Sequence, residues 1–316
     1  VGNISIKRFP AFKLGGDSFM YWLNADAEKA IREFKPDVII AHSYRHLHTT
    51  RALKIARAIG AKVFLVTHAP FDRNSTRSLF ARVAVYLYDT LIGSRTINLF
   101  DKVLAITHWE IPYLKKLGLK PAKLIYMPNG IRLAFLSPVT KIAGKYLLYT
   151  GRLSPIKQLE TPIRALSFLR EKSLMLKLFG PAEKEYLFYL KNIARSYHVD
   201  DRVIFHDASY GAKEQLRELN SAQLFILHSK SEGMPQVLIE AMARGKIVLA
   251  SDNKGNADII RHGKNGFLFN GDDAEQLARQ IEHILHLDKK TAASIRHSAR
   301  RTAEQFDWKK VSKILE

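Results

Sequence analysis

Two acids eight residues apart frame the stretch SEGMPQVLIEAMARG, which runs from Ser231 to Gly245. Glu232 precedes Pro235, and Glu240 follows it among Val237, Leu238, Ile239 and Met242. The pattern predicts a helix that begins at Pro235, a residue suited to the first turn because the N–H it lacks would have had no intrahelical partner. The free N–H groups after Glu232, from Met234 through Gln236 to Val237, then point out of the helix start and, with the helix dipole, favour an anion. Gly233 lets a ligand approach the backbone closely. A carboxylate buried like Glu240 is costly unless it accepts hydrogen bonds, and two sugar hydroxyls would supply a donor to each of its oxygens. Glu232 could accept from a sugar hydroxyl at the helix mouth. The plainer alternative is one solvated acid and one helix-packing acid.

A second group lies in GRLSPIKQLE, Gly151 to Glu160. It follows the strand-like run Tyr146–Thr150 and places the cations Arg152 and Lys157 on either side of Pro155. Two cations on a strand-to-helix turn can straddle a diphosphate and stabilise it as a leaving group. Alone, such a loop reads as a solvated turn; its weight comes from sharing a domain with the first motif.

These groups need a scaffold, and the chain supplies one by alternation. Strand patterns at Asp37–Ala41, Lys62–Thr67, Lys102–Thr107 and Lys123–Met127 alternate with helix patterns at Ser18–Phe34, Thr49–Ile59 and Trp109–Leu117. The second half repeats the scheme. Its strand patterns are Tyr146–Thr150, Leu174–Phe179, Arg202–His206, Gln223–His228, Ile247–Ala250 and Phe267–Phe269; its helix patterns are Leu159–Leu169, Glu183–His198, Lys213–Asn220, Pro235–Arg244 and Ala274–His286. Near-continuous apolar strands between helices predict parallel sheets covered on both faces. The fold class expected is therefore α/β: two doubly wound, Rossmann-like units of similar size facing a cleft. The turn signals Pro128-Asn129-Gly130 and Ser137-Pro138 set the boundaries at 1–137 and 138–302, with 303–316 as a final helix. Ligands of such sheets bind beyond the carboxyl ends of the strands. That rule singles out His42, His68, His108, Asn129, Gly151, Gly180, His206, Ser229 and Ser251.

Lys and Arg number 50 against 30 Asp and Glu, a net charge of +20, which favours phosphate-bearing partners. The basic residues are dispersed, with no arginine-rich tail, zinc-finger spacing or RNP-like aromatics, so nucleic acid is not the expected partner. The chain has no cysteine, which excludes disulfides, thiolate catalysis and cysteine-ligated metals. No apolar run reaches the ~20 residues a bilayer span requires. The segment Ser75–Phe100 carries Arg77, Arg82, Asp89 and Arg95 among many apolar residues. It reads first as a helix packed on a core, and otherwise as a helix lying on an anionic membrane. The chain starts at Val1 and enters a strand-like run, Ile4-Ser5-Ile6-Lys7, so the expectation is that the natural N-terminus lies upstream.

Taken together, the motifs resemble the retaining GT-B glycosyltransferases of family 4. Glu232 and Glu240 match the family's E-x7-E pair, Gly151–Lys157 its GRL-x-P-x-K loop, and Met127-Pro-Asn-Gly-Ile131 its strand-end motif. Phe306-Asp-Trp308 matches the aromatic segment before a last helix that crosses back to the first domain, and the resemblance spans about Pro36 to Val311. It implies that Arg152 and Lys157 hold the donor diphosphate, Glu240 the ribose, and Glu232 the donor sugar. It also implies that the amides of Met234–Val237 meet the sugar or distal phosphate, and that His68 faces the sugar across the cleft. The reaction implied is retaining transfer from a UDP- or GDP-sugar to a glycan or lipid-linked acceptor, with no cofactor and no metal. The basic charge and the Ser75–Phe100 segment suggest in addition a cytoplasmic protein that visits the inner face of an anionic membrane.

Departures from the pattern concern donor choice. Ile156 and Gln158 replace a frequent Glu and Gly, Arg132 replaces a usual Asp, Met234 replaces a frequent aromatic, and Lys254–Asp258 replaces a Gly-Gly-x-x-Glu run. The family's first strand and glycine-rich loop are not found; Gly15-Gly16 follows no suitable strand. Competing readings are a nucleotide-sugar epimerase or sugar phosphorylase of the same fold, and a basic nucleic-acid-binding or scaffold protein.

Overall fold

The structure is a computed structural model that describes residues 4–10, 12–14, 19–21, 25–71, 79–138, 144 and 146–315. The chain divides into two compact units, Val1–Met127 and Pro128–Glu316. The second is the larger, contrary to the expectation of similar sizes, and its sheet has six strands against four in the main sheet of the first.

In the first unit the strands β3 (Val38–His42), β4 (Lys62–Val66), β5 (Lys102–Ala105) and β6 (Leu124–Tyr126) lie side by side in chain order, all parallel. Among the described residues this sheet therefore never reverses its strand order. Its core gathers Leu53, Val63, Leu65, Ile97, Phe100, Val103 and Leu114. A short antiparallel pair, β1 (Phe12–Leu14) with β2 (Phe19–Tyr21), stands apart from it.

The second unit has strands β7 (Tyr146–Thr150), β8 (Met175–Phe179), β9 (Val203–His206), β10 (Leu224–Leu227), β11 (Val248–Ser251) and β12 (Phe267–Phe269). All pairings are parallel, in the order β12-β11-β10-β7-β8-β9. The chain runs outward from β7 to β9, returns to lay β10 against the other edge of β7, and runs outward again. The reversal lies between β7 and β10, where an open α/β sheet leaves a crevice past the strand ends. β10 is buried along its whole length, because helices cover both faces of the sheet. The Gln236–Ala243 helix is buried at Leu238, Ile239, Ala241, Met242 and Ala243, and the Lys289–Ala303 helix, beyond the alternating pattern, packs on it.

Two expectations fail and a third holds only in part. Ile4–Lys7 is exposed and is no strand: its alternation offers an apolar face that nothing among the described residues covers. The helix expected over Ser18–Phe34 begins only at Ala25, because Phe19–Tyr21 pairs as β2. Finally, the core-packing expectation for Ser75–Phe100 holds only for its later part: Tyr88 packs against the core and Ile97 and Phe100 belong to it, whereas none of the residues of the Leu79–Tyr88 helix is fully buried. Anchoring starts at the helix end, where the Tyr88 ring meets Tyr44 edge-on, and continues at Asp89, which meets the Arg45 guanidinium at 2.6 and 2.8 Å and the Tyr44 hydroxyl at 3.1 Å. Gly15-Gly16 and Ser75–Ser78 lie outside the described residues.

Candidate active site

The two loops singled out by their charges leave the two strands that flank the reversal. Gly151 follows β7, and its N–H bonds the Phe179 carbonyl at 3.0 Å. The chain then forms a single turn over Pro155–Lys157. The N–H of Lys230, just past β10, bonds the Ile156 carbonyl at 2.9 Å, which ties this turn to the loop carrying Glu232. As a result Lys157 Nζ and Glu232 Oε1 are 2.6 Å apart, with side chains only 19% and 10% exposed. A lysine in so sheltered a place needs an anion, and Glu232 is that anion. Arg152 is exposed, and its carbonyl accepts from the Tyr149 hydroxyl at 2.8 Å. Burial first, and then the negative charge of Glu232, push the Tyr149 pKa well up, while Arg152 opposes them.

Pro235 is the N-cap, one residue before the helix rather than inside it, with φ −75° and ψ 95°. The N–H groups of Gln236 and Val237 therefore open the helix, without intrahelical partners. Gln236 donates from its side chain to the Gly130 carbonyl at 3.2 Å, and the Met234 sulfur accepts from the Asn129 N–H at 3.1 Å. Both contacts hang the Pro128–Ile131 segment on the helix mouth. Trp308 closes that segment from the other side: a side chain at Gly130 would run into its indole, and Ile131 N–H bonds the Phe306 carbonyl at 2.7 Å. Behind the mouth, Gly255 lies so close to the carbonyls of Glu232 and Gly233 that any side chain there would displace them.

Glu240 is not open on both oxygens as the sequence suggested. Its Oε2 accepts from the Gln215 amide at 2.7 Å, while Oε1 accepts no hydrogen bond among the described residues. Burial raises its pKa, opposed by the Gln215 hydrogen bond and the charge of Arg132. Tyr210 stands close enough for Glu240 to raise its pKa, after burial.

In the first unit His68 follows β4 with φ +60°, and Ala69 follows with φ +50°. His68 Nε2 lies 2.9 Å from His42 Nδ1. Burial lowers the pKa of both rings; His42 and His46 lower that of His68 further, and His48 that of His42. Beneath the turn lies Glu110, wholly buried, bonded to the Thr67 hydroxyl at 2.6 Å and to the N–H groups of Ile106 and Thr107 at 2.6 and 3.1 Å. In the sequence His42 stands out only as a strand end, and Gln215 and Glu110 do not stand out at all. Each acts on another residue rather than projecting from a recognisable motif. Among the described residues no three His, Cys, Asp or Glu side chains are grouped to hold a metal ion, and no helix is long and apolar enough to cross a membrane.

Two parallel-sheet α/β units, one with its charged loops at the strand reversal, define the GT-B class of fold. Solved structures agree on that fold. HepE of Anabaena, crystallised with UDP-glucose, superposes with a TM-score of 0.71 at 21% identity, over 92% of this chain and 79% of that one. Sucrose-phosphate synthase of Thermosynechococcus elongatus gives 0.73 at 19% identity, over 92% and 74%. Residues 138–302 match the family described as Glycosyl transferases group 1, and residues 1–135 match Glycosyltransferase Family 4. The chain belongs to the group 1 glycosyltransferases, of family 4. Among curated relatives, WcaL of Salmonella typhimurium, provisionally named a colanic acid biosynthesis glycosyltransferase, is 25% identical over 96% of this chain and 75% of its own length.

Proposed function

We propose that this glycosyltransferase moves a sugar, with retention, from a UDP- or GDP-sugar to a glycan or lipid-linked acceptor, without a metal, at the cytoplasmic face of a membrane. The observation that carries the reading is the convergence of Lys157, Glu232 and the open start of the Gln236–Ala243 helix beside the strand reversal. A donor diphosphate placed there replaces Glu232 as the partner of Lys157 and meets Arg152 and the amides of Met234–Val237. The displaced Glu232 carboxylate is then free to accept from a sugar hydroxyl, and the open Oε1 of Glu240 from the ribose. The bond from the anomeric carbon to the distal phosphate oxygen breaks, the acceptor hydroxyl oxygen takes its place, and the hydroxyl proton leaves with the nucleoside diphosphate. Negative charge grows on the diphosphate as that bond breaks, so the two cations act more strongly on the transition state than on the bound donor. The UDP-glucose held by the structural relative HepE supports the donor class.

Replacing Lys157 and Arg152 by Ala, singly and together, tests this. Each single change is expected to lower turnover about 100-fold with a smaller loss of donor affinity. Unchanged turnover in the double variant overturns the leaving-group role.

The membrane part rests on the Leu79–Tyr88 helix, where Leu79 is 76% and Phe80 84% exposed, beside Arg82. An apolar face flanked by cations suits an anionic lipid surface. Absence of flotation with phosphatidylglycerol vesicles at low salt removes this part alone.

A further inference from the structure

We propose that His42 and Glu110 are the positioning residues of His68: His42 fixes the ring, and Glu110 fixes the backbone that carries it. The inference rests on the reading that His68 faces the donor sugar. It starts from a backbone anomaly. His68 and Ala69 both occupy the left-handed region, at φ +60° and +50°. A side-chain-bearing residue there is disfavoured, and two in succession persist only where the surroundings dictate them. The surroundings here are one carboxylate. Glu110 Oε2 accepts from the Thr67 hydroxyl at 2.6 Å, and the Ala69 N–H bonds the same carboxyl group. The residues on either side of His68 thus hang from a single buried acid, itself held through Oε1 by the Ile106 and Thr107 N–H groups. The turn between them is pushed outward with His68 at its tip.

The ring is fixed separately. His42 ends β3, and its Nδ1 meets His68 Nε2 at 2.9 Å. One of these two nitrogens carries the shared hydrogen and the other accepts it, so the contact couples the tautomers of the two rings. The backbone that carries the His42 ring is held, because its carbonyl accepts from His48 Nε2 at 3.1 Å and from the Thr49 hydroxyl at 3.3 Å. With Nε2 engaged, Nδ1 is the His68 nitrogen left to meet a ligand. The charged groups bearing on the pair are His46 and His48, and both disfavour protonation.

The test is nitrogen-15 ring spectroscopy of histidines in the full chain, comparing wild type with His42→Ala and His42→Asn. In the wild type His68 is expected to show one tautomer. In His42→Ala it is expected to average two, with its titration midpoint moved upward. His42→Asn, whose amide reaches the position of Nδ1, restores the single tautomer. Identical His68 spectra in wild type and His42→Ala overturn the ring half of the proposal. Glu110→Gln is expected to shift the backbone amide signals of His68 and Ala69, and unchanged signals overturn the other half. If that variant does not fold, Thr67→Val, which removes one bond to the carboxyl, gives the same readout. Turnover of UDP-glucose or GDP-mannose, scored on whichever the wild type consumes, separates this proposal from the reading beneath it. His42→Ala is expected to lower kcat about tenfold with KM for the donor nearly unchanged, and His42→Asn to recover most of the loss. If the spectra change while His68→Ala turns over like wild type, His42 positions the ring but His68 does not face the sugar.

Discussion

Each unit shelters a carboxylate near the carboxyl ends of its strands, Glu110 fully buried and Glu240 half-buried, and the two are finished differently. Burial raises the pKa of Glu110 and of Glu240 alike. Glu110 then spends both oxygens inside the protein, on Thr67, Ile106, Thr107 and Ala69. Glu240 spends only Oε2, on Gln215. A buried acid whose lone pairs are all used is a pin; one with an oxygen left over is prepared for a donor that arrives later. The surroundings agree. Glu110 lies under a turn whose conformation needs enforcing, while Glu240 stands on the helix whose open end suits an anion.

The contrast breaks most readily on Glu110. Glu110→Ala strips several buried donors of their acceptor, and the expected cost is about 4 kcal/mol of unfolding free energy, measured by denaturant titration. A cost under about 1 kcal/mol makes Glu110 a spectator. Glu240→Ala should behave in the opposite way. It orphans one amide, that of Gln215, for about 1 kcal/mol, yet weakens UDP or GDP binding about 10- to 100-fold by calorimetry. Large destabilisation with intact nucleotide affinity would make Glu240 a second pin and erase the difference between the units.

The sequence showed one of these acids and hid the other, for a physical reason. Glu240 announces itself by sitting at a helical position among Leu238, Ile239 and Met242, eight residues after a second acid and five after a proline. Glu110 lies in a loop between a strand and a short helix, where acids are ordinary, and only the fold shows that Ile106, Thr107, Thr67 and Ala69 all turn their donors towards it. Elements were legible on the same terms. All ten strand patterns of the two main sheets form strands, because each is an apolar run closed by polar or glycine residues. Lys157 and Glu232 could be nominated from their types, but their contact depends on β10 returning beside β7, a choice of strand order that local pattern does not encode. The core-packing expectation for Ser75–Phe100 held from Tyr88 onward and missed at Leu79 and Phe80, because apolar spacing reports a face to be covered and says nothing of what covers it.

The finest difference is one of pH. Glu110 takes no part in the proposed donor contacts, so its protonation should leave nucleotide affinity untouched. On the proposed reading Glu240 accepts from the ribose as a carboxylate, so protons and nucleotide should compete for it. Its raised pKa brings that competition to higher pH than an exposed glutamate would show. Affinity for UDP or GDP should therefore be level above the Glu240 pKa and fall as pH drops through it, by up to about tenfold per unit. Gln215 sharpens the point. Its hydrogen bond favours the carboxylate and holds the pKa down, so Gln215→Leu should move the onset of the fall to higher pH and leave the plateau nearly unchanged. Calorimetric titrations across pH with wild type, Gln215→Leu and Glu240→Gln decide it. Superimposable pH profiles for all three would mean that the free oxygen of Glu240 does not meet the nucleotide.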